Sequence, residues 1–220
     1  VGRRQVLQAR PALVRALGDA DWQVRKLAAE ALGLLRDERA VPGLLKALDD
    51  ENLWVRYAVA RSLGESGLSK PAEDLHVVQR LIKVLKQDTP PVNLAAASAL
   101  GQLGDPRATS ALATLSQHAD PDFRRTAAEA LATIPGSGAA DEPHPADKLH
   151  PVDILTALLD DVNPSVRRAA VKALGKHNLL TTRPAIEALI HDADPRVREA
   201  AEETLETLEG NGGVGAMSYI

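Results

Sequence analysis

A thirteen-residue pattern, written six times along the chain, limits its possible folds more than any other feature. The copies are DWQVRKLAAEALG from Asp21, NLWVRYAVARSLG from Asn52, TPPVNLAAASALG from Thr89, DPDFRRTAAEALA from Asp120, NPSVRRAAVKALG from Asn163 and DPRVREAAEETLE from Asp194. The first position always carries a side-chain oxygen able to accept from the free amides of a first helical turn, so all six residues are expected N-caps. Pro90, Pro121, Pro164 and Pro195 follow at the first helical position, where a missing N–H costs nothing. Positions four (Val24 in the first copy, Val166 in the fifth), eight and twelve lie four apart and stack on one face, the expected buried face. Position eleven is small in every copy (Ala31, Ser62, Ala99, Ala130, Ala173, Thr204), which lets a neighbouring helix approach to the short end of the ~8–10 Å range. Gly33, Gly64, Gly101 and Gly175 then read as left-handed C-caps.

The spacing adds a second constraint. Position four falls at Val24, Val55, Val92, Phe123, Val166 and Val197, so the intervals are 31, 37, 31, 43 and 31 residues. A period in the range of about 20–50 residues signals an array of supersecondary units. Each interval also holds a short apolar helix, as in VPGLLKALDD from Val41, LHVVQRLIKVLKQ from Leu75, RATSALATLSQ from Arg107, PVDILTALLDD from Pro151 and RPAIEALIHD from Arg183. The repeating unit is a helical hairpin. The six extra residues fall near Gly64 to Pro71 and the twelve near Pro135 to Lys148, both between first and second helices and hence on one edge.

The Asp-Pro-x-Val-Arg-x-Ala-Ala-x-x-Ala-Leu-Gly pattern resembles the short HEAT repeats of the phycobilisome-lyase-like type, over roughly residues 9–209. The resemblance implies an all-α, right-handed solenoid of five to six hairpins, with first helices convex, second helices concave, and binding along the concave surface. It says little of function, because such repeats serve scaffolds, chromophore-attachment proteins and a few enzymes alike. Residues 1–209 read as one repeat domain: an incomplete repeat at 1–20, repeats starting near 21, 52, 89, 120 and 163, and a capping helix at 194–209. Residues 210–220 read as a flexible tail.

Composition excludes several classes. With 2% aromatic and 45% hydrophobic residues, the core is one of Ala, Leu and Val. The absence of cysteine removes disulfides, zinc thiolates and thiol catalysis. No apolar run approaches the ~20 residues of a membrane span, no signal peptide is visible, and a cytoplasmic monomer is expected. The net charge of −4 divides into +3 over residues 1–110 (16 Lys and Arg, 13 Asp and Glu) and −7 over the rest (10 against 17). Without a basic run or stacking aromatics, nucleic acid is an unexpected partner.

The position-five arginines Arg25, Arg56, Arg124, Arg167 and Arg198 are expected to form a ladder with Asp or Asn of the adjacent repeat, with Asn93 breaking the series. One residue of each second helix (Arg15, Lys46, Lys83, Ala113, Thr156, Glu187) is expected to face the groove, passing from basic through neutral to acidic. Trp22 and Trp54 open adjacent first helices and are candidate contact residues, as is His144 in the longer insert. His144, His150, Asp141, Glu142 and Asp147 lack the spacing of a metal site, and Gly210 to Gly215, although it spells GxGxxG, lacks the preceding strand a dinucleotide site needs. No catalytic, cofactor or metal residue is assigned. The expected function is a non-enzymatic protein-interaction scaffold or adaptor that binds a protein partner along the groove or the inserted edge. The alternatives are a bilin lyase-like subunit, which the resemblance permits, and a HEAT-like DNA glycosylase, which would want a basic, aromatic groove.

Overall fold

The computed structural model describes residues 9–66, 75–135 and 149–212. His144, Asp141, Glu142, Asp147, most of both inserts and the end of the tail lie outside these residues. Among the described residues there are twelve α-helices: α1 (Arg10–Ala16), α2 (Trp22–Leu35), α3 (Val41–Ala47), α4 (Leu53–Glu65), α5 (Leu75–Gln87), α6 (Val92–Leu103), α7 (Thr109–Leu115), α8 (Pro121–Leu131), α9 (Pro151–Ala157), α10 (Pro164–His177), α11 (Arg183–Glu187) and α12 (Pro195–Gly212). The all-α expectation is met. Four of the second helices are shorter than their apolar segments: α3 stops at Ala47, α9 and α11 pass into a 3₁₀ turn at their C-terminal ends, and α7 is preceded by one. Conversely, α12 runs to Gly212, so Gly210 to Gly212 end a helix rather than begin a tail.

The chain forms two compact units, residues 1–111 and 112–220, with the boundary inside α7. In the first, α2 packs on α4 and α4 on α6, while α1, α3 and α5 lie against α2, α4 and α6 in turn. The second repeats this scheme: α8 packs on α10 and α10 on α12, with α9 against α10 and α11 against α12. Positions eight and twelve are buried throughout except for Leu205, which is half-buried. Position four is buried in every copy but the first, where Val24 is 38% exposed.

Five of the six expected caps are present. Asp21, Asn52, Asp120, Asn163 and Asp194 each accept the N–H of the residue two further on through Oδ1, at 2.8–2.9 Å. Thr89 does not cap: α6 begins only at Val92, and Pro91, at the N-cap position, has no side-chain oxygen to offer. The residue two further on, which donates at the other five caps, is here Pro91, and it has no N–H to give.

The glycine expectation fails more instructively. Gly33, Gly64, Gly101 and Gly175 lie inside α2, α4, α6 and α10, and the left-handed residues are Arg36, Gly104 and Asn178, three further on. What the glycines provide is closeness. A Cβ on Gly33 would stand 2.7 Å from Ser62 Oγ and 2.9 Å from Ser62 Cα; on Gly64, 2.8 Å from Ala99 Cα; on Gly175, 2.8 Å from Thr204 Cγ2. The last residue of one copy therefore meets the small eleventh residue of the next. Ser62 strengthens the contact by donating to the Ala29 carbonyl at 2.8 Å.

The arginine ladder is present, and its acceptors are the aspartates just before each next cap. Arg25 binds Asp50, Arg56 binds Asp88, Arg124 binds Asp161 and Arg167 binds Asp192, each through Nε and Nη2 to the two carboxylate oxygens at 2.6–3.0 Å. Nη1 of each arginine meanwhile donates to two carbonyls of the turn before its own helix, as Arg167 does to Asp161 and Val162. The same aspartates accept a backbone N–H at the following cap, for example Asn163 N–H on Asp161. One side chain thus ties a helix start to its own turn and to the next repeat.

Candidate functional site

Two adjoining grooves mark the second-helix layer of the first unit. One, of about 550 Å³, lies between α1 and α3; Val14, Leu17, Pro42 and Ala47 form its walls, and Arg39 and Lys46 stand at its rim. The other, of about 340 Å³, lies between α3 and α5, with Leu48 and Val84 below Arg80 and Lys83. Asp49 and Asp50, at the C-terminal end of α3, border both. Lys46 sits in the last turn of α3, where its charge suits the negative end of the helix dipole.

The charges of these grooves are unequally committed. Arg39 holds Asp37 at 2.9 and 3.0 Å, and Arg10 reaches the same carboxylate at 3.0 Å. Hydrogen bonds from the Arg39 guanidinium, assisted by its backbone N–H and by Arg10, hold Asp37 below the usual carboxylate range against the opposing effect of burial. Arg80 binds Asp49 at 2.6 Å. Lys46 and Lys83 are exposed, and among the described residues neither is paired with a carboxylate. They are the cations left available to a ligand.

The other candidate residues are not gathered here. Arg15 is exposed on α1, Ala113 is buried, and Thr156 is half-buried, donating to the Val152 carbonyl within its own helix at 2.8 Å. Glu187 is exposed but held by Arg183 at 2.7 Å, and Arg183 also binds Glu209. Trp22 is half-buried at the start of α2. Trp54 is 46% exposed and packs edge-on to Tyr57, whose ring lies under the Arg61 guanidinium at 6.0 Å. His150 and His118 each accept a backbone N–H at a helix start, and among the described residues no three His, Asp or Glu side chains cluster as for a metal ion.

Arg39, Arg80 and Asp49 escaped the sequence reading. A signal for the first was available, because Asp37-Glu38-Arg39-Ala40 and Asp105-Pro106-Arg107-Ala108 precede α3 and α7 with the same internal ion pair. Asp37, Asp88, Asp161 and Asp192 are held below the usual carboxylate range by their arginine partners, and Arg56 is held above its ordinary value by Asp88, away from neutrality. These groups are arranged to bind and to hold the fold, not to exchange protons near pH 7.

The profile of HEAT repeats matches residues 9–76, 78–149 and 151–213. The chain belongs to the HEAT-repeat family. A relative from Pseudanabaena tenuis (strain PCC 7409), named "Uncharacterized phycocyanin operon protein Z", is 25% identical over 168 residues, covering 74% of this chain and 77% of that protein. Among solved structures, a designed armadillo repeat protein in complex with the peptide (KR)4 superposes with a TM-score of 0.66 at 22% identity, covering 90% of this chain and 98% of that one. The complex of CpcE and CpcF of phycocyanin lyase from Nostoc sp. PCC7120 matches with a TM-score of 0.54 at 24% identity, over 94% of this chain and 84% of that one. These structures share the helical-repeat fold. No helix among the described residues is long and apolar enough to cross a membrane.

Proposed function

We propose that this HEAT-repeat protein is a non-catalytic adaptor that binds a protein partner across the paired grooves of its first unit, with Lys46 and Lys83 as the charged contacts. The observation that carries this reading is the pair of adjoining grooves, the first with apolar walls, and each with one lysine at its rim that is unpaired among the described residues. An apolar wall rewards burial of a partner's side chains, and an exposed rim charge acts chiefly on the rate and register of association. The partner's matching surface therefore carries acidic groups set against Lys46 and Lys83, flanking apolar residues.

A photo-crosslinking side chain placed at position 46 or 83 in the native host tests the proposal. Capture of one and the same protein from both positions, and not from Lys26 on the first-helix layer, is the expected outcome. Equal capture from all three positions, or none, removes the grooves from the account. A second reading, a bilin lyase-like subunit, is favoured by the name of the Pseudanabaena relative, which ties that protein to a phycocyanin operon. It is distinguished by colour: a subunit of this kind, co-expressed with phycocyanobilin and a phycobiliprotein subunit, gives a visible absorbance band on the acceptor that the protein-free control lacks.

A further inference from the structure

On the first-helix layer of the second unit, α8 and α10 enclose a groove of about 380 Å³ whose floor is Ala132, Ala169 and Ala173 and whose sides carry Arg125 with its partner Glu129, and Arg168, Lys172 and Lys176. The repeat makes the strangeness of these charges visible. Positions six and ten of the pattern are neighbours on one helix face, and on three first helices they or the next pair along carry opposite charges: Lys26 pairs with Glu30 at 3.4 Å on α2, Arg61 with Glu65 at 3.2 Å on α4, and Arg125 with Glu129 at 2.8 Å on α8, whereas α6 has the uncharged Leu94 and Ser98 there and α12 has Glu199 and Glu203. On α10 the same column reads Arg168, Lys172, Lys176, two successive like-charge pairs four residues apart. Opposite charges at this spacing stabilise a helix and like charges destabilise it, so α10 departs from the pattern of α2, α4 and α8, with α12 as its acidic counterpart.

Nothing in the fold offsets the departure fully. Lys172 reaches Glu203 only at 3.7 Å, and among the described residues Arg168 and Lys176 meet no carboxylate within 4.0 Å. The unit that holds this column is acidic, with 10 Lys and Arg against 17 Asp and Glu over residues 112–220. The compensation from Glu203 reaches Lys172 alone and leaves Arg168 and Lys176 without a carboxylate, and local rules broken in this way mark functional sites. We infer that the α8/α10 groove is a docking site for an acidic α-helix of a partner protein, one bearing carboxylates at i, i+4 and i+8.

The chemistry of the groove selects that occupant. Residues four apart on a helix rise about 6 Å, so three carboxylates at the same spacing on a second helix meet Arg168, Lys172 and Lys176 in register. The alanine floor leaves room for a helix to come close. A nucleic acid fits less well, because its phosphates beyond the groove would face a surface of net negative charge, and the groove has no aromatic side chain for stacking.

Fluorescence anisotropy with four labelled probes tests the inference: a helical peptide of about 18 residues with glutamates at i, i+4 and i+8, an isomer of the same composition with the glutamates spread round the helix, a lysine counterpart, and a thymidine oligonucleotide of about 20 bases. The registered glutamate peptide is expected to bind about tenfold tighter than its isomer at low salt, to weaken as salt is raised, and to leave the lysine peptide unbound. Arg168→Ala and Lys176→Ala should each weaken it about three- to tenfold while the melting temperature holds or rises, since each relieves a like-charge pair. Equal affinity for the two isomers, tighter binding of the oligonucleotide, or unchanged affinity in both variants overturns the inference. So does a dimer in light scattering that the same substitutions dissolve, because the groove's occupant would then be the acidic face of α12 in a second copy.

Discussion

Arg167 grips Asp192 with two parallel hydrogen bonds, Nε to Oδ2 at 2.7 Å and Nη2 to Oδ1 at 2.6 Å, across an interval of 25 residues. Both side chains are largely withdrawn from solvent, at 14% and 6% exposure. The bidentate geometry is the strong form of the contact, and the remaining guanidinium donors are used on the carbonyls of Asp161 and Val162. Replacing Arg167 by alanine leaves Asp192 buried without its main partner, which is expected to cost about 1–3 kcal/mol. Arg198, the last of the series, bonds to the carbonyls of Asp192 and Ala193, and no side-chain carboxylate is among its bonds in the described residues. Arg198→Ala should cost clearly less. Equal losses for the two variants, measured by urea denaturation, would show that the carbonyl bonds and not the ladder carry the energy.

The same pairs set an acid limit. Asp88, Asp161 and Asp192 are each held below the ordinary carboxylate range, first by the hydrogen bonds of Arg56, Arg124 and Arg167, against the opposing effect of burial. A carboxylate whose folded-state pKa is depressed contributes stability that is present above its unfolded value, about 3.9, and is lost as pH falls through the folded value. Stability should therefore be flat between about pH 5 and 8 and fall away below about pH 4. The Arg167→Ala variant should fall less steeply over that range, having already lost one of the linked groups. A parallel pair of curves in thermal melts across pH would contradict the assignment of Asp192.

The repeat, its period, the helical hairpins, five of the six caps and the ladder arginines were all legible in the sequence, because each rests on local chemistry at fixed spacing. What was not legible depends on the neighbour. Gly33 and Gly175 stand at the end of the written pattern, where a C-cap glycine belongs, and only the distance to Ser62 or Thr204 reveals that the helix continues past them. Val24 matches Val166 letter for letter, yet exposure depends on what packs alongside. Lys46 and Lys83 could be placed by their register in the second helices. The column of Arg168, Lys172 and Lys176 was equally visible, but became informative only when the ion pairs of α2, α4 and α8 were set beside it.

Gly33→Ala separates closeness from helix propensity. Alanine in a helix interior is favoured over glycine by about 1 kcal/mol, so a cap-free, uncrowded glycine would gain from the change. Here the new methyl meets Ser62 backbone and side chain at 2.7–2.9 Å, and the helices α2 and α4 must part. A net loss of about 1–3 kcal/mol is expected. Ser62→Gly in the same chain should recover part of it, although it also removes the bond to the Ala29 carbonyl. A stabilised single variant would mean that the two helices tolerate a wider spacing.

The caps can be ranked in the same way. Asn163 accepts from Ser165 N–H at 2.9 Å, whereas Thr89 has no capping bond to lose. Asn163→Ala is expected to cost about 1 kcal/mol and Thr89→Ala close to nothing. Equal costs would restore Thr89 to the capping role its sequence position suggests.

The final helix gives the sharpest test of how the array ends. In α12, Val197, Ala200, Ala201, Thr204 and Leu208 are buried, while Glu199, Glu202, Glu203, Glu206 and Glu209 are exposed, so one face packs on the helices before it and the other meets water. Stability in such an array is close to a sum of neighbouring interfaces, and a terminal unit must present a polar outer face. Removing residues 194–220 strips the cover from α10 and α11, uncovering Gly175 and its neighbours on α10 and the side of Ile186 on α11 that α12 shields. The shortened protein is expected to associate or aggregate at concentrations where the parent does not, with a lower and broader thermal transition. Light scattering and a thermal melt decide it: an unassociated shortened protein with the parent's melting temperature would show that α12 is an appendage rather than a cap.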